Sequence, residues 1–170
     1  MIVAAHQPAF LPWLGYLHKI AACDAFVLLD DVQYERGSFQ NRNRVKTSTG
    51  ATWLTVPLAH GSQLDRICDK EIVDGESDTG SWRRKSWLTL ASHYGKAPHF
   101  HRYANALEDA FSRPFRRLVD LDRHLLDLLL DWFAIRPRLV EASLFHVGSL
   151  KTDRLIELCH RLDADVYLAG

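Results

Sequence analysis

Two short runs near the N-terminus contain only apolar residues, and they are Ile2–Ala5 and Ala25–Leu29. Uninterrupted apolar runs of this length are typical of parallel strands whose two faces are both covered. Between them, Pro12 suits the first turn of a helix, because its missing amide proton costs no hydrogen bond there. The pattern therefore predicts a β-α-β unit over residues 2–29.

The helix predicted after Pro12 is amphipathic at about 100° per residue. Its inward face is expected to carry Trp13, Leu14, Leu17, Ile20 and Ala21. Tyr16 and Lys19 fall on the opposite face, so we expect both to point away from the core. Ligands of such sheets bind outside the carboxyl ends of the strands. Those ends carry His6-Gln7 and Asp30-Asp31, which places a candidate site there.

The segment that follows contains a turn of small residues with β-branched and aromatic residues on its far side. Asn41–Thr47 and Thr52–Pro57 flank Ser48-Thr49-Gly50-Ala51, which is the pattern of an antiparallel hairpin and makes the predicted sheet mixed. Successive side chains of an extended strand point to opposite faces, so every second residue lies on the same face of the two-stranded ribbon that the hairpin forms. That face is expected to carry Gln40, Arg42, Arg44 and Lys46, and the other Asn41, Asn43 and Val45.

The rest of the chain divides into helical and strand patterns. Helices are predicted near Ser81–Tyr94, His99–Phe111, Arg116–Phe133 and Lys151–Leu162, strands at Arg138–Ala142 and Asp165–Leu168, and a loop at 75–80. We expect one α/β domain over residues 1–170, with a three-layer Rossmann-like fold whose mixed, largely parallel sheet is flanked by helices. A strand that ends on Gly170 without a closing helix leads us to expect a further C-terminal segment in the natural protein.

The composition narrows the class of protein. Lysine and arginine together number 21, and aspartate and glutamate together also number 21. The chain therefore has no net charge that would attract it to bulk nucleic acid. The apolar runs are too short to span a membrane, and Met1–His6 lacks the basic segment of a secretion signal. The three cysteines form no CxxC pair, which is typical of reduced thiols. We expect a cytoplasmic protein that neither inserts into membranes nor binds bulk nucleic acid.

Two groups of cations are candidates for binding an anionic small molecule. Arg42, Arg44 and Lys46 would form a fork for phosphate or carboxylate, although a solvated strand has the same pattern. The amides of Gln40 and Asn41 beside them favour recognition.

The second group of cations lies at the start of the last predicted helix. Lys151 and Arg154 oppose the helix dipole there, and an anion bound beside Thr152 and the free helical amides would remove the conflict. The alternative is that both side chains simply reach water or Asp153.

His6 and Asp30 are the candidate catalytic residues. Histidine suits proton transfer because its pKa is near neutrality, although His6 could equally fix the turn through the backbone. Asp30 and Asp31 could orient the histidine, bind a divalent cation or accept a substrate amine, and turn capping is the common alternative. His99 and His101 stand at a predicted helix start, so no metal site is predicted. Dinucleotide, Walker, metalloprotease and nucleophile-elbow motifs are absent from the sequence, so no cofactor is assigned.

One long segment is specific enough to indicate a family. The run His6-Gln7-Pro8-Ala9-Phe10-Leu11-Pro12-Trp13-Leu14-Gly15-Tyr16, continuing to Lys19 and Asp24–Gln33, resembles the HQPxxLPWxGY block of the WbqC-like protein family. Later blocks similar to that family are Asn41–Arg44, Trp53–Pro57, Tyr94–Pro98 and Lys151–Leu155. Members occur among genes for bacterial O-antigen and other surface polysaccharides. The resemblance implies a role in modifying an amino sugar, by aminoacyl or acyl transfer.

A looser resemblance is to nucleotidyltransferases that carry an HxGH motif after the first strand. Pro12 and Gly15 keep the spacing of that motif, but Trp13 and Tyr16 stand where it has histidines. This resemblance implies nucleotide binding in a related crevice and not adenylyl transfer.

These features lead to two hypotheses from different classes. In the first, a transferase acts on a nucleotide-linked amino sugar, with His6 transferring a proton and Asp30 orienting His6 or the acceptor amine. Phosphate is held by Arg42, Arg44, Lys46, Lys151 and Arg154, and further substrate contacts come from Gln7, Tyr16, Lys19, Asp31, Gln40, Asn41 and Thr152. In the second, a non-catalytic binding or assembly protein uses the same cations to recognise a phosphorylated ligand or partner.

Overall fold

The computed structural model describes residues 1–62, 64–74 and 81–169, so the loop predicted at 75–80 lies outside the described residues. The strands are β1 (Ile2–His6), β2 (Ala25–Leu28), β3 (Arg42–Thr47), β4 (Gly50–Thr55), β5 (Arg138–Glu141) and β6 (Val166–Leu168). The helices are α1 (Leu14–Ala21), α2 (Trp82–Tyr94), α3 (Ala104–Ser112), α4 (Leu118–Trp132) and α5 (Lys151–Arg161). Single 3-10 turns lie at Ile67–Asp69, Phe100–Arg102 and Ala142–Phe145. None of these described helices has the length and apolar character needed to cross a membrane.

Four strands form a parallel sheet in the order β5-β2-β1-β6. β2 is buried along its whole length because helices cover both faces of the sheet. On one face, Phe26 packs with Ile20 of α1 and Leu130 of α4. On the other face, Val27 packs with Leu158 of α5. The predicted three-layer α/β fold is confirmed.

β3 and β4 form the predicted antiparallel hairpin, in which Arg44 lies opposite Trp53. Among the described strands the hairpin pairs only with itself, so it is a separate ribbon and does not make the parallel sheet mixed. Leu54 and Val56 instead pack with residues of α2, α3 and α4 in a second core that also contains Phe10. The face of the ribbon that carries Leu54 packs on this core. Arg44 and Trp53 lie on the opposite face and are exposed.

The strand order also fixes where a crevice forms. β1 lies between β2 and β6, and α1 and α5 pack on opposite faces of the sheet. In open α/β sheets, ligands bind at such a switch point, outside the carboxyl ends of the strands. His6 is the last residue of β1 and therefore lies at this edge.

The orientation predicted for α1 is partly wrong. Tyr16, expected outside, is 2% exposed. The residues expected in the core but found exposed are Trp13, Leu14 and Ala21. On the helical wheel Tyr16 lies only about 40° from Ile20, so the buried face is centred closer to Tyr16 than predicted. The ring of Tyr16 packs on Phe26 and its hydroxyl donates to the carbonyl of Gln7 at 3.1 Å. Tyr16 can therefore be buried without leaving its hydroxyl unpaired.

Candidate functional site

His6 is half-buried against the start of α1. Its ring lies 5.0 Å from the ring of Tyr16 and 5.8 Å from that of Trp13. Nδ1 lies 3.0 Å from the carbonyl oxygen of Gln7, which can only accept, so Nδ1 carries the proton and Nε2 is an acceptor. Burial lowers the pKa of His6, the bond to Gln7 opposes that shift, and the charge of Lys19 adds to it. The neutral ring is thus favoured at pH 7, with Nε2 able to accept a proton.

Tyr16 and Lys19, which the sequence predicts as substrate contacts, both bind the backbone at the end of β1. The hydroxyl of Tyr16 donates to the carbonyl of Gln7 at 3.1 Å, and Nζ of Lys19 donates to the carbonyl of Ala5 at 3.1 Å. These bonds fix α1 against the strand end. The two residues therefore set the position of the His6 ring.

Gln7 links β1 to the loop before the hairpin. Gln40 donates to Oε1 of Gln7 at 2.9 Å and accepts from the amide of Glu35 at 3.0 Å. Because Gln40 is 2% exposed, its predicted place on the open face of the ribbon is wrong. Asn41 is also buried and donates to the carbonyl of Val56 at 2.8 Å. The side-chain amides of Gln40 and Asn41 are therefore buried and fix the loop before the hairpin, and they do not lie on the solvent-exposed face of the hairpin.

Three large aromatic side chains form a half-exposed row that leads away from His6. The aromatic row consists of Trp13, Phe39 and Trp53. Ring centroids are 5.8 Å apart from Trp13 to Phe39 and again from Phe39 to Trp53. The exposed fractions of the three residues are 45%, 44% and 43%, so each keeps ring surface in solvent. Aromatic surfaces of this kind can stack on a base.

Two of the predicted cations of β3, Arg42 and Arg44, lie at the far end of the aromatic row. The guanidinium carbon of Arg42 lies 4.3 Å from the ring centroid of Trp53, and that of Arg44 lies 5.8 Å from it. Both arginines therefore share one face of the ribbon, as predicted. Within residues 1–62, 64–74 and 81–169, Arg42, Arg44 and Lys46 have no carboxylate partner. Their charges are available to an anion.

A cavity of about 580 Å³ opens beside this end of the aromatic row. We call it the cationic cavity, because Arg36, Arg42 and Lys70 line it and Glu35 supplies the one carboxylate among its described residues. Lys70 is 6% exposed and pairs with Asp65 at 2.9 Å, so the two positive charges of Arg36 and Arg42 exceed the one negative charge of Glu35. The volume lies within the range of small-molecule sites.

A second cavity, of about 510 Å³, lies at the carboxyl ends of β2 and β5. We call it the acidic cavity, because its described lining contains five carboxylates and three guanidinium groups. The carboxylates belong to Asp30, Asp69, Asp120, Asp127 and Glu141, and the guanidinium groups to Arg66, Arg117 and Arg123. The excess of negative charge makes this cavity a poor match for the anionic ligand predicted from the sequence.

Asp30 belongs to the acidic cavity and not to the surroundings of His6. The amide of Asp30 donates to the carbonyl of Leu28 at 2.9 Å, so the chain turns at once after β2. Oδ1 of Asp30 then accepts from the amide of Ser143 at 2.9 Å. The ring of His6 bonds Gln7 instead. Asp30 therefore does not orient His6 through a hydrogen bond, and its other predicted role, contact with the acceptor amine, stays a prediction.

The cations predicted to bind phosphate at the start of α5 are in different environments. Arg154 is buried, forms a salt bridge with Asp31 and donates to two loop carbonyls at 3.1 and 3.3 Å. This pair joins α5 to the end of β2, so Arg154 and Asp31 serve the fold and not the predicted ligand contacts. Lys151 and Thr152 are exposed.

The sequence pattern does not identify the aromatic row or most of the acidic cavity. Trp53 has a local signal, since the alternation that buries Leu54 sends its neighbour to the face of Arg44. Phe39 lies outside any periodic segment. The acidic cavity joins side chains from residues 30, 66–69, 117–127 and 141–146, and no local pattern connects these segments.

Comparisons with known proteins agree with the resemblance found in the sequence. The model of the WbqC-like protein family matches residues 7–170. "Uncharacterized protein Rv1507c" of Mycobacterium tuberculosis (strain ATCC 25618 / H37Rv) is 32% identical over 169 residues, which cover 99% of this chain and 71% of that protein. No solved structure matches this chain.

Proposed function

The chain belongs to the WbqC-like protein family, and from the geometry of its surface we propose that it is a transferase acting on a nucleotide-linked amino sugar. The setting we propose is the biosynthesis of bacterial surface polysaccharide such as O-antigen. The substrate binds along the aromatic row, with its phosphates in the cationic cavity and its amine at His6.

The observation that carries this proposal is the meeting of the aromatic row with unpaired cations. A base can stack on Trp53, and Arg42 lies 4.3 Å from that ring while it also lines the cationic cavity. Arg42 already donates to the carbonyl of Gly37 and its Nε is buried, so it offers a phosphate its charge and its remaining N–H groups, whereas the exposed guanidinium of Arg36 can form two parallel hydrogen bonds. A nucleoside diphosphate supplies both a planar base and two charged phosphates, so it satisfies the two surfaces together.

His6 supports a proton-transfer step at the other end of the row. In the proposed reaction the amine nitrogen attacks the carbonyl carbon of an activated acyl ester or thioester. A carbon–nitrogen bond forms, the bond from the acyl carbon to the leaving oxygen or sulfur breaks, and Nε2 of His6 takes the amine proton. Because the pKa of His6 is lowered by burial, the ring is neutral and can accept that proton at pH 7.

The test is a titration of the protein with uridine, guanosine and thymidine diphosphate sugars, each with and without an amino group. We expect at least one amino sugar nucleotide to bind and to raise the free energy of unfolding by about 2.7 kcal/mol at one hundred times Kd. Arg42→Ala should weaken binding about tenfold or more, whereas Arg84→Ala, at an exposed arginine of α2, should not. Absence of binding by every compound would overturn the proposal.

A second candidate function is a non-catalytic binding protein that uses the same surface. The contact that favours it is the pairing of the His6 ring with a backbone carbonyl, which a purely structural histidine would also make. His6→Gln separates the two functions once a binding nucleotide is known. Loss of acyl transfer at retained affinity supports the transferase, and a wild-type protein that binds but forms no amide with any acyl ester or thioester supports the binding protein.

A further inference from the structure

The acidic cavity contains three arginines, but each is already held by a carboxylate. Arg66 donates to the two oxygens of Asp69 at 2.7 and 3.1 Å. Arg117 holds Asp120 at 3.0 and 2.8 Å, and Nε of Arg123 lies 3.0 and 3.1 Å from the oxygens of Asp127. These pairs consume all three positive charges. Asp30 is the cavity carboxylate without an arginine partner among the described residues, and Glu141 shares Arg123 with Asp127.

Asp30 is the more buried of these two carboxylates, since the residue is 2% exposed. Only Oδ1 has a partner among the described residues, the amide of Ser143. The carbonyl of Asp30 accepts from the amide of Cys68 at 2.8 Å, so the residue is held on both sides. A buried carboxylate with one hydrogen bond gains from a cationic donor on its second oxygen.

Two further polar groups lie in the same cavity. Glu141 ends β5 opposite Leu28, which places it beside the end of β2, and Arg123 approaches it only at 3.4 Å. Nε2 of His124 is buried and has no hydrogen-bond partner in the described part of the chain. Both can bind hydroxyl or amino groups of a molecule whose charge is neutralised by Asp30. The cavity volume, about 510 Å³, is larger than an ammonium ion needs.

We propose that the acidic cavity is a second binding site, which takes a small polar molecule with a protonated primary amine. The ammonium group binds Asp30, and Glu141 and His124 bind other polar groups of the molecule. This proposal does not rest on the transferase function, because it concerns a cavity that repels the phosphates of a nucleotide.

The experiment compares amines with uncharged molecules of similar shape. The full chain is titrated with glucosamine and ethanolamine, and separately with glucose and ethylene glycol, while amide resonances are followed by NMR. We expect the two amines to shift the amides of Ser143 and Cys68, which bond Asp30, and the neutral molecules to leave them in place. Asp30→Asn should weaken amine binding about tenfold or more. Asp131→Asn, at an exposed carboxylate outside the cavity, should not.

Three outcomes would overturn the proposal. They are equal shifts with amines and neutral molecules, unchanged amine binding by a folded Asp30→Asn variant, and no shift up to tens of millimolar amine. If Asp30→Asn does not fold, Glu141→Gln decides, because the side chain of Glu141 is 35% exposed and its exchange leaves the bond between Asp30 and Ser143 intact. A weaker amine affinity in the Glu141→Gln variant supports the proposed amine site, and an unchanged affinity contradicts it.

Discussion

The cationic cavity and the acidic cavity both lie beyond the strand ends, yet they use arginine in opposite ways. In the cationic cavity, Arg36 and Arg42 have no carboxylate partner among the described residues. In the acidic cavity, Arg66, Arg117 and Arg123 each hold a carboxylate. The number of arginines in a cavity is therefore a poor guide to where an anion binds, and the partners of those arginines are a better one.

One short segment, residues 66–70, separates the two cavities. Lys70 lines the cationic cavity, and Cys68 and Asp69 line the acidic one. Ile67 is fully buried between them, and its amide donates to the carbonyl of Val32 at 3.0 Å. Ligands of opposite charge bound on the two sides would be neighbours, so each should feel charge changes made on the other side.

The largest expected effect tests a cation that belongs to neither cavity. Arg154→Ala leaves Asp31 buried and unpaired, which should lower the free energy of unfolding by about 3 to 5 kcal/mol. Lys151→Ala, in the same predicted phosphate site but exposed, should change it by less than about 0.5 kcal/mol. Urea unfolding measures both. If Arg154→Ala were as stable as the wild type but did not bind nucleotide, Arg154 would be a ligand contact and not a residue that stabilises the fold.

The fold was more predictable than the site, and Arg154 illustrates the reason. Apolar runs identify β1 and β2 because every side chain of a covered strand must be apolar. The turn at Ser48–Ala51, followed by β-branched and aromatic residues, identifies the hairpin. The partner of Arg154 is Asp31, which lies 123 residues away in sequence, so no local pattern could reveal that its charge is already neutralised. The site depends on such distant pairs.

The second prediction tests whether the aromatic row binds a base. Trp53→Ala removes the ring that contacts both Arg42 and Phe39, and should weaken nucleotide binding by about 1 to 3 kcal/mol. Amine binding in the acidic cavity should not change. Phe133→Ala, at an exposed aromatic residue after α4, is the matched control. Calorimetric titration with both ligands distinguishes a local effect from general unfolding, which would weaken both.

The third prediction concerns Asp122, a fully buried carboxyl of α4 whose oxygens have no hydrogen-bond partner in the described part of the chain. Burial raises the pKa of Tyr16 and of Tyr34, and the charge of Asp122 adds to both shifts, so Asp122 lies close to a residue that positions His6 and to one that lines the cationic cavity. Burial raises the pKa of Asp122 itself well above its usual value.

The sign of the resulting pH dependence follows from proton binding. Above the unfolded pKa of about 3.9, the native state holds a proton on Asp122 that the unfolded state has lost. Stability should therefore fall as the pH rises from there to the folded pKa, by at most about 1.4 kcal/mol per pH unit. Asp122→Asn should remove this slope, and Asp120→Asn, on the same helix but half-buried and paired with Arg117, should keep it. Urea unfolding across this pH range would contradict the assignment if Asp122→Asn kept the full slope.

The smallest expected effect acts across the segment between the cavities. Arg36→Ala removes an exposed, unpaired cation from the cationic cavity and should weaken nucleotide binding by about 0.2 to 1 kcal/mol. The same change should slightly strengthen amine binding in the acidic cavity, because a repelling charge is lost. Both effects should shrink as salt shortens the Debye length to about 8 Å at 0.15 M. Arg84→Ala controls for net charge. If Arg36→Ala weakened both ligands equally, the two cavities would not be electrostatically opposed, and their difference in charge would not determine which ligand each one binds.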